Sequence, residues 1–147
     1  MTSYYDLLRI LKDEIEATEL VNTITQGDMS ALDINKKNLY PLAHVMVDTG
    51  SFVGATIVYN VSIYCIDILD ISKLPTTDEY RGNDNEFDVL NSTITILNRV
   101  FEKLRRKLHN VEISEAQLEK GVNKGTNGWA GWQMSFDVVL PANMPIC

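Results

Sequence analysis

Residues 83–110 read NDNEFDVLNSTITILNRVFEKLRRKLHN. Phe87, Leu90, Ile94, Leu97, Phe101, Leu104 and Leu108 recur at alternating steps of three and four, a spacing that brings all seven to one face of an α-helix. Asn83 or Asp84 can cap its start, and Glu86 and Asp88 put negative charge in the first turn, where free N–H groups favour it. Arg105, Arg106, Lys107 and His109 fall in the last turns, where unpaired carbonyls favour cations. A helix of this span is roughly 35–40 Å long. One apolar stripe needs a surface to cover it, and the flanking segments can supply a sheet.

Toward the N-terminus, residues 72–83 (SKLPTTDEYRGN) read as a polar loop of the kind that is often either mobile or ordered by a partner. Before it, Ala55, Ile57, Tyr59, Val61, Ile63 and Cys65 alternate with Thr56, Val58, Asn60, Ser62 and Tyr64, a clear strand. The parity changes at Ile66–Asp67, so a bulge or bend is expected there, and the strand can run on to Asp70. Residues 42–47 (LAHVMV) read as a shorter strand entered through Tyr40-Pro41. A turn follows at residues 48–51 (DTGS), or a longer one that takes in Gly54.

Residues 29–38 (MSALDINKKN) are a polar connection, and residues 20–26 a half-buried strand ended by Gly27-Asp28. At the start, Ser3 can cap a first helix with Asp6 as its box partner. Tyr4, Leu7, Leu8, Leu11 and Ile15 make its apolar stripe, leaving Asp6, Lys12, Asp13, Glu14 and Glu16 to water.

Downstream of the long helix, Val111 and Ile113 begin a strand that continues weakly through Ala116, Leu118 and Lys120. Residues 121–128 (GVNKGTNG) suit a flexible hairpin connection. Trp132, Met134, Phe136, Val138 and Leu140 then alternate with Gln133, Ser135, Asp137 and Val139, so the last two strands should form a long hairpin. The expected fold is α+β: an antiparallel sheet packed with an N-terminal helix and a long second helix, in the order α-β-β-β-α-β-β. Short connections between successive strands favour the antiparallel arrangement. With no repeat and no linker, residues 1–147 read as a single domain.

The chain is 45% hydrophobic and 22% charged, an ordinary balance for a packed domain. Its net charge of −7 argues against general affinity for nucleic acid, yet suits a wall that nucleic acid slides past. Two cysteines make no disulfide framework: Cys65 reads as a buried free thiol, and Cys147 is the last residue. MTSYYDLLRILKDEIE lacks the basic start and apolar core of a secretory signal, and no uncharged run approaches the roughly eighteen residues of a membrane span. Synthesis in the cytoplasm, without a membrane partner, is the expectation.

No catalytic, cofactor or metal constellation is readable. Residues 121–128 lack the Gly-Lys-Ser/Thr ending and the following helix that a phosphate loop requires. His44, within LAHVMV, has no converging His, Cys or carboxylate and reads as packing; His109 reads as a helix-end cation. Asp67 and Asp70 could pair around a cation, but a charged edge that blocks unwanted strand pairing is favoured. Arg99, Lys103, Arg105, Arg106 and Lys107 form a basic cluster suited to an acidic neighbouring subunit. Within GWAGW, Trp132 fits the core face, while Trp129 is either an exposed anchor or core packing.

YPLAHVMVD (residues 40–48), VSIYCIDILDISK (61–73), NDNEFDVLNSTITILNRVFEKLRR (83–106) and GWAGWQMSFDVVLP (128–141) together resemble small proteins of tailed bacteriophages. These are the tail-completion or tail-terminator proteins and the related head-to-tail ring proteins. The resemblance rests on packing and loop residues and spans about the whole domain. It implies a non-enzymatic virion component that forms a hexameric or dodecameric ring at the tail-tube end or below the portal. Tail-tube and portal or connector proteins would be its partners, and DNA would cross a central channel without specific binding. Residues 29–38, 72–83 and 121–128 would reach neighbouring copies, with strand addition as one mode. No residue role carries over. Candidates for subunit contacts are Asp67, Asp70, Arg81, Arg105, Arg106 and Trp129. Two other readings compete: a small-ligand-binding α+β domain with its pocket between sheet and helix, and, ranked last, a hydrolase using His44 and Asp67.

Overall fold

The computed structural model describes residues 4–27, 41–69, 80, 85–107, 112–123 and 128–141. Two helices lie on one face of a six-stranded sheet, which is the α+β class and element order expected. In chain order the elements are α1 (Tyr4–Glu16), β1 (Thr23–Gln26), β2 (Leu42–Val53), β3 (Thr56–Ile68), α2 (Glu86–Lys107), β4 (Glu112–Ile113), β5 (Gln117–Asn123) and β6 (Trp129–Pro141). The sheet runs β1-β2-β3-β6-β4, with β5 also on β6. All pairs are antiparallel except β1–β2, which is parallel and makes the sheet mixed. Residues 27–41 separate that pair, long enough to return the chain to the same end of the sheet, as a tight hairpin cannot.

β3 and β6 pair without interruption from Thr56↔Pro141 to Ile68↔Trp129 and form the spine. Their alternation divides the sheet. Ile57, Tyr59, Val61, Ile63 and Cys65, with Met134, Phe136, Val138 and Leu140, face the helices and are buried. Leu7, Leu11 and Ile15 of α1 and Ile96, Leu97, Val100 and Leu104 of α2 complete this core. Glu14, expected in water, is also buried, because it flanks the Leu7–Leu11–Ile15 stripe one turn along.

α2 differs from expectation in its rotation. The deepest positions are Val89, Thr93, Ile96, Leu97, Val100 and Leu104. The stripe of Phe87, Leu90, Ile94, Leu97, Phe101 and Leu104 is turned roughly a quarter of a revolution from the centre of that buried face. Phe87 is exposed; Leu90, Ile94 and Phe101 are half-buried. The apolar arc is wide, and only one half of it meets the sheet squarely. Thr93 is tolerated in the centre because its hydroxyl donates to the Val89 carbonyl, 2.8 Å away. Leu108, His109 and the capping residues Ser3, Asn83 and Asp84 lie outside the described residues.

Two turn expectations move. The chain does not turn at residues 48–51. A bulge at Asp48 absorbs one residue between Val47↔Val61 and Thr49↔Asn60, and β2 continues to Val53. The turn falls at Gly54, whose φ of 58° suits glycine, and the Thr56 hydroxyl donates to the Val53 carbonyl at 2.6 Å. Nor is there a bulge at Ile66–Asp67, where the β3 register against β6 runs unbroken to Ile68 and the β2 pairing ends at Ile66. Ile66 is instead buried on the face away from the helices, opposite Gly131. A Cβ at Gly131 would stand 2.8 Å from Ile66 Cγ2 and 2.0 Å from the Cys65 carbonyl oxygen, so a missing side chain, not a bulge, makes the room.

The closing hairpin forms as expected, broken in the middle. β4 pairs with Val138 and Val139, β5 with residues 129–135, and Ser114–Ala116 bridges the two. Gly121 belongs to β5, opposite Gly131, rather than to a phosphate-binding turn.

Candidate interaction surface

Because successive strand residues point to opposite sides, a second surface lies behind the core. Among the described residues no helix or strand covers it. β3 contributes Val58, Asn60, Ser62 and Tyr64; β6 contributes Gln133, Ser135, Asp137 and Val139. A polar network runs across its middle. The Ser62 hydroxyl donates to Asp48 Oδ2 at 2.7 Å and lies 3.2 Å from the Ser135 hydroxyl, while Asn60 Nδ2 donates to Asp137 Oδ1 at 3.0 Å. The bulge at Asp48 brings that carboxylate to Ser62. Asp137 is held further by Ser114, whose hydroxyl accepts its backbone N–H at 2.8 Å.

The surface is acidic. Asp48, Glu112, Glu119 and Asp137 stand on it or at its rim, and no lysine or arginine occupies one of its positions among the described residues. Lys120, opposite Trp132, belongs to the helix side. The field is felt by Tyr64, whose phenol is pushed above its ordinary range by burial first and then by the Asp48 and Glu119 carboxylates. At the end of this surface Trp129 is half-buried, its ring 3.2 Å from where a Cβ on Gly121 would stand. Its indole N–H is enclosed and has no acceptor among the described residues.

The basic cluster lies on the other side of the molecule. Over residues 99–107, Arg99, Lys103, Arg105, Arg106 and Lys107 face a single carboxylate, Glu102. Arg99, Arg105 and Arg106 are exposed. Arg105 stacks its guanidinium 5.7 Å above the Phe101 ring, and Arg106 pairs with Glu102 at 3.5 Å, one turn away. The Lys103 ammonium donates to the Ala17 carbonyl at 3.2 Å, tying α2 to the end of α1. Aromatic support therefore holds the Arg105 charge outward over Phe101, which itself packs edge-on against Phe136.

The other sequence candidates separate. Asp67 sits on a central strand, flanked by β2 and β6, so it is not the charged edge expected of it. It faces the helix side at the mouth of a crevice beside Ile96 and Arg99. Burial raises its carboxyl, opposed by the Ile68 N–H that donates to Oδ1 at 2.8 Å. Asp70 and Arg81 lie outside the described residues, as do residues 29–38, most of the 72–83 segment and residues 124–127. His44 is 2% exposed and acts as a clasp: Nε2–H donates to the Gly27 carbonyl at 2.8 Å, and in the neutral ring Nδ1 accepts from the Thr25 hydroxyl at 2.7 Å. That holds β1 against β2 and leaves neither nitrogen for chemistry. Burial pushes the Cys65 thiol up to about 12, so it is inert as a nucleophile.

One feature was not anticipated, and a second was expected only on the ligand-binding reading. The β2–β3 hairpin carries Phe52 and Val53 in the open, 77% and 59% exposed. An open groove of about 650 Å³ lies between α2 and β5, lined by Ile94, Phe101, Ala116, Leu118 and Met134 with Asn98 and Glu115 at its rim. The turned α2 stripe makes this groove, since its outer half overhangs the sheet where β4 gives way to β5. Among the described residues no three His, Cys, Asp or Glu side chains converge to hold a metal, and no helix is long and apolar enough to cross a membrane. No protein-family model matches the chain, and no curated protein matches it.

Proposed function

We propose that the chain is a structural virion protein that works by contact with its own copies. It forms a ring at the head–tail junction or tail-tube end of a tailed phage, capping or joining the tail and leaving a channel for DNA. The observation that carries this reading is the division of the sheet. One face builds the main core, while the other, which buries Leu42, His44, Ser62 and Ile66 within it, presents a hydrogen-bonded acidic surface remote from the basic end of α2. Unlike surfaces on opposite sides of one subunit produce head-to-tail contacts, which generate rings when the rotation closes. Rigid display suits such a part: Trp132 Nε1 donates to the Leu90 carbonyl at 3.0 Å, pinning α2 to the spine strand β6. The net charge of −7 fits a wall that does not retain DNA.

Light scattering of the full chain tests the reading. A mass of six or more copies with a central hole in negative-stain images is the expected result. A monomer at every concentration, with or without tail tubes, would sink it. The groove between α2 and β5 favours a second reading, a small-ligand-binding domain. On that reading an apolar fluorescent probe binds a monomer at one site, and Leu118→Arg abolishes the binding.

A further inference from the structure

Resting on the ring reading, we infer that the acidic helix-free face of the sheet receives the basic C-terminal half of α2 from the next copy. Among the described residues four carboxylates stand on the first surface, and three exposed arginines, Arg99, Arg105 and Arg106, against one carboxylate, Glu102, lie along the second. The two lie on opposite sides of the sheet, so they cannot satisfy each other within one subunit. Each copy therefore offers one of each, the condition for a heterologous contact.

The details of the two surfaces fit. Glu112 and Glu119 are exposed at the β4 and β5 edge of the sheet face, while Asp48 and Asp137 are fixed nearer its middle by Ser62 and Asn60. Between and beside them lie half-buried Val58, Val139 and Tyr64, apolar area enclosed by charge, the usual anatomy of a protein interface. On the partner side Arg105 is held out over Phe101 rather than consumed by a carboxylate. Arg106 has only an exposed contact with Glu102, which exchanges at little cost. Planar guanidinium groups also match carboxylates better than lysine does.

Charge exchange tests this in the full chain. Glu112→Lys with Glu119→Lys makes the sheet face basic, and Arg105→Glu with Arg106→Glu makes α2 acidic. All four are exposed side chains outside the core, and far-ultraviolet circular dichroism with a melting curve checks each variant's fold. Each double variant should weaken assembly at least about tenfold in light scattering, because like charges then face one another. The quadruple variant, with both surfaces inverted, should regain the wild-type mass. Assembly of the wild type should fall between about 0.05 M and about 1 M salt. If the wild type assembles and both double variants match it, or the folded quadruple variant stays dispersed, the inference fails while the ring stands. If the wild type never assembles, the ring reading fails and takes this interface with it.

Discussion

The two faces of the β3–β6 spine are written by the same thirteen-residue strands, yet they are opposite kinds of surface. On the helix side Val61, Ile63, Val138 and Leu140 are fully buried in one apolar cluster. On the other side their immediate neighbours Ser62 and Asp137 hold a polar network. The period of two lets one strand carry the fold on alternate residues and the display on those between. Stability and recognition can then vary almost independently.

The comparison breaks first where the covered face is emptied. Leu104 is fully buried between α2 and the sheet. Leu104→Ala should lower unfolding free energy by about 2–5 kcal/mol in a urea titration. A loss below about 1 kcal/mol would mean that the helix layer is loosely seated. Gly131 probes the seam between the faces. In Gly131→Ala the new methyl meets the Cys65 carbonyl and the Ile66 backbone, which cannot swing aside as a side-chain tip could. A loss of about 1–3 kcal/mol is expected, with an unchanged denaturant slope. On the helix-free face Ser62→Ala removes one buried hydroxyl from the Asp48–Ser135 link, and should cost about 1 kcal/mol, since the exposed Asp48 can turn to water. An effect as large as that of Leu104→Ala would erase the distinction between core and display.

The strands were legible because their alternation is local: the core positions from Ile57 to Cys65 and from Met134 to Leu140 stand where period two puts them. The helix was legible in extent but not in rotation. An apolar arc that includes Val89, Ile96 and Val100 as well as Phe87, Ile94 and Phe101 has two equally good stripes, and only the position of the sheet chooses between them. The parallel β1–β2 pair was hidden for the same reason, since nothing local fixes strand direction across residues 27–41. Of the contact candidates, Arg105 and Arg106 are exposed as their charge and helix-end position implied. Asp67 misled because a carboxylate breaking an apolar run looks like an edge signal, whereas β3 is central. The acidic face was missed: Asp48, Glu112, Glu119 and Asp137 are far apart in sequence, and only the strand register collects them.

Asp67 itself gives the smallest effect and the sharpest test of how dry the helix side is at its margin. Burial raises its carboxyl from the ordinary value of 3.8, so the folded chain holds that proton more tightly than the unfolded chain. The sign follows from proton binding: above the raised value folding must carry a partly buried charge, and the penalty fades as pH falls toward 3.8. Asp67→Asn removes the charge and keeps an amide oxygen for the Ile68 N–H. Its melting temperature should therefore exceed the wild type's modestly at neutral pH, and the two should converge in acid. A gap that stays constant with pH would show that Asp67 is as well hydrated in the fold as out of it. The crevice beside Arg99 would then be open to water, and the helix-covered face would end one inward-facing position earlier, at Cys65.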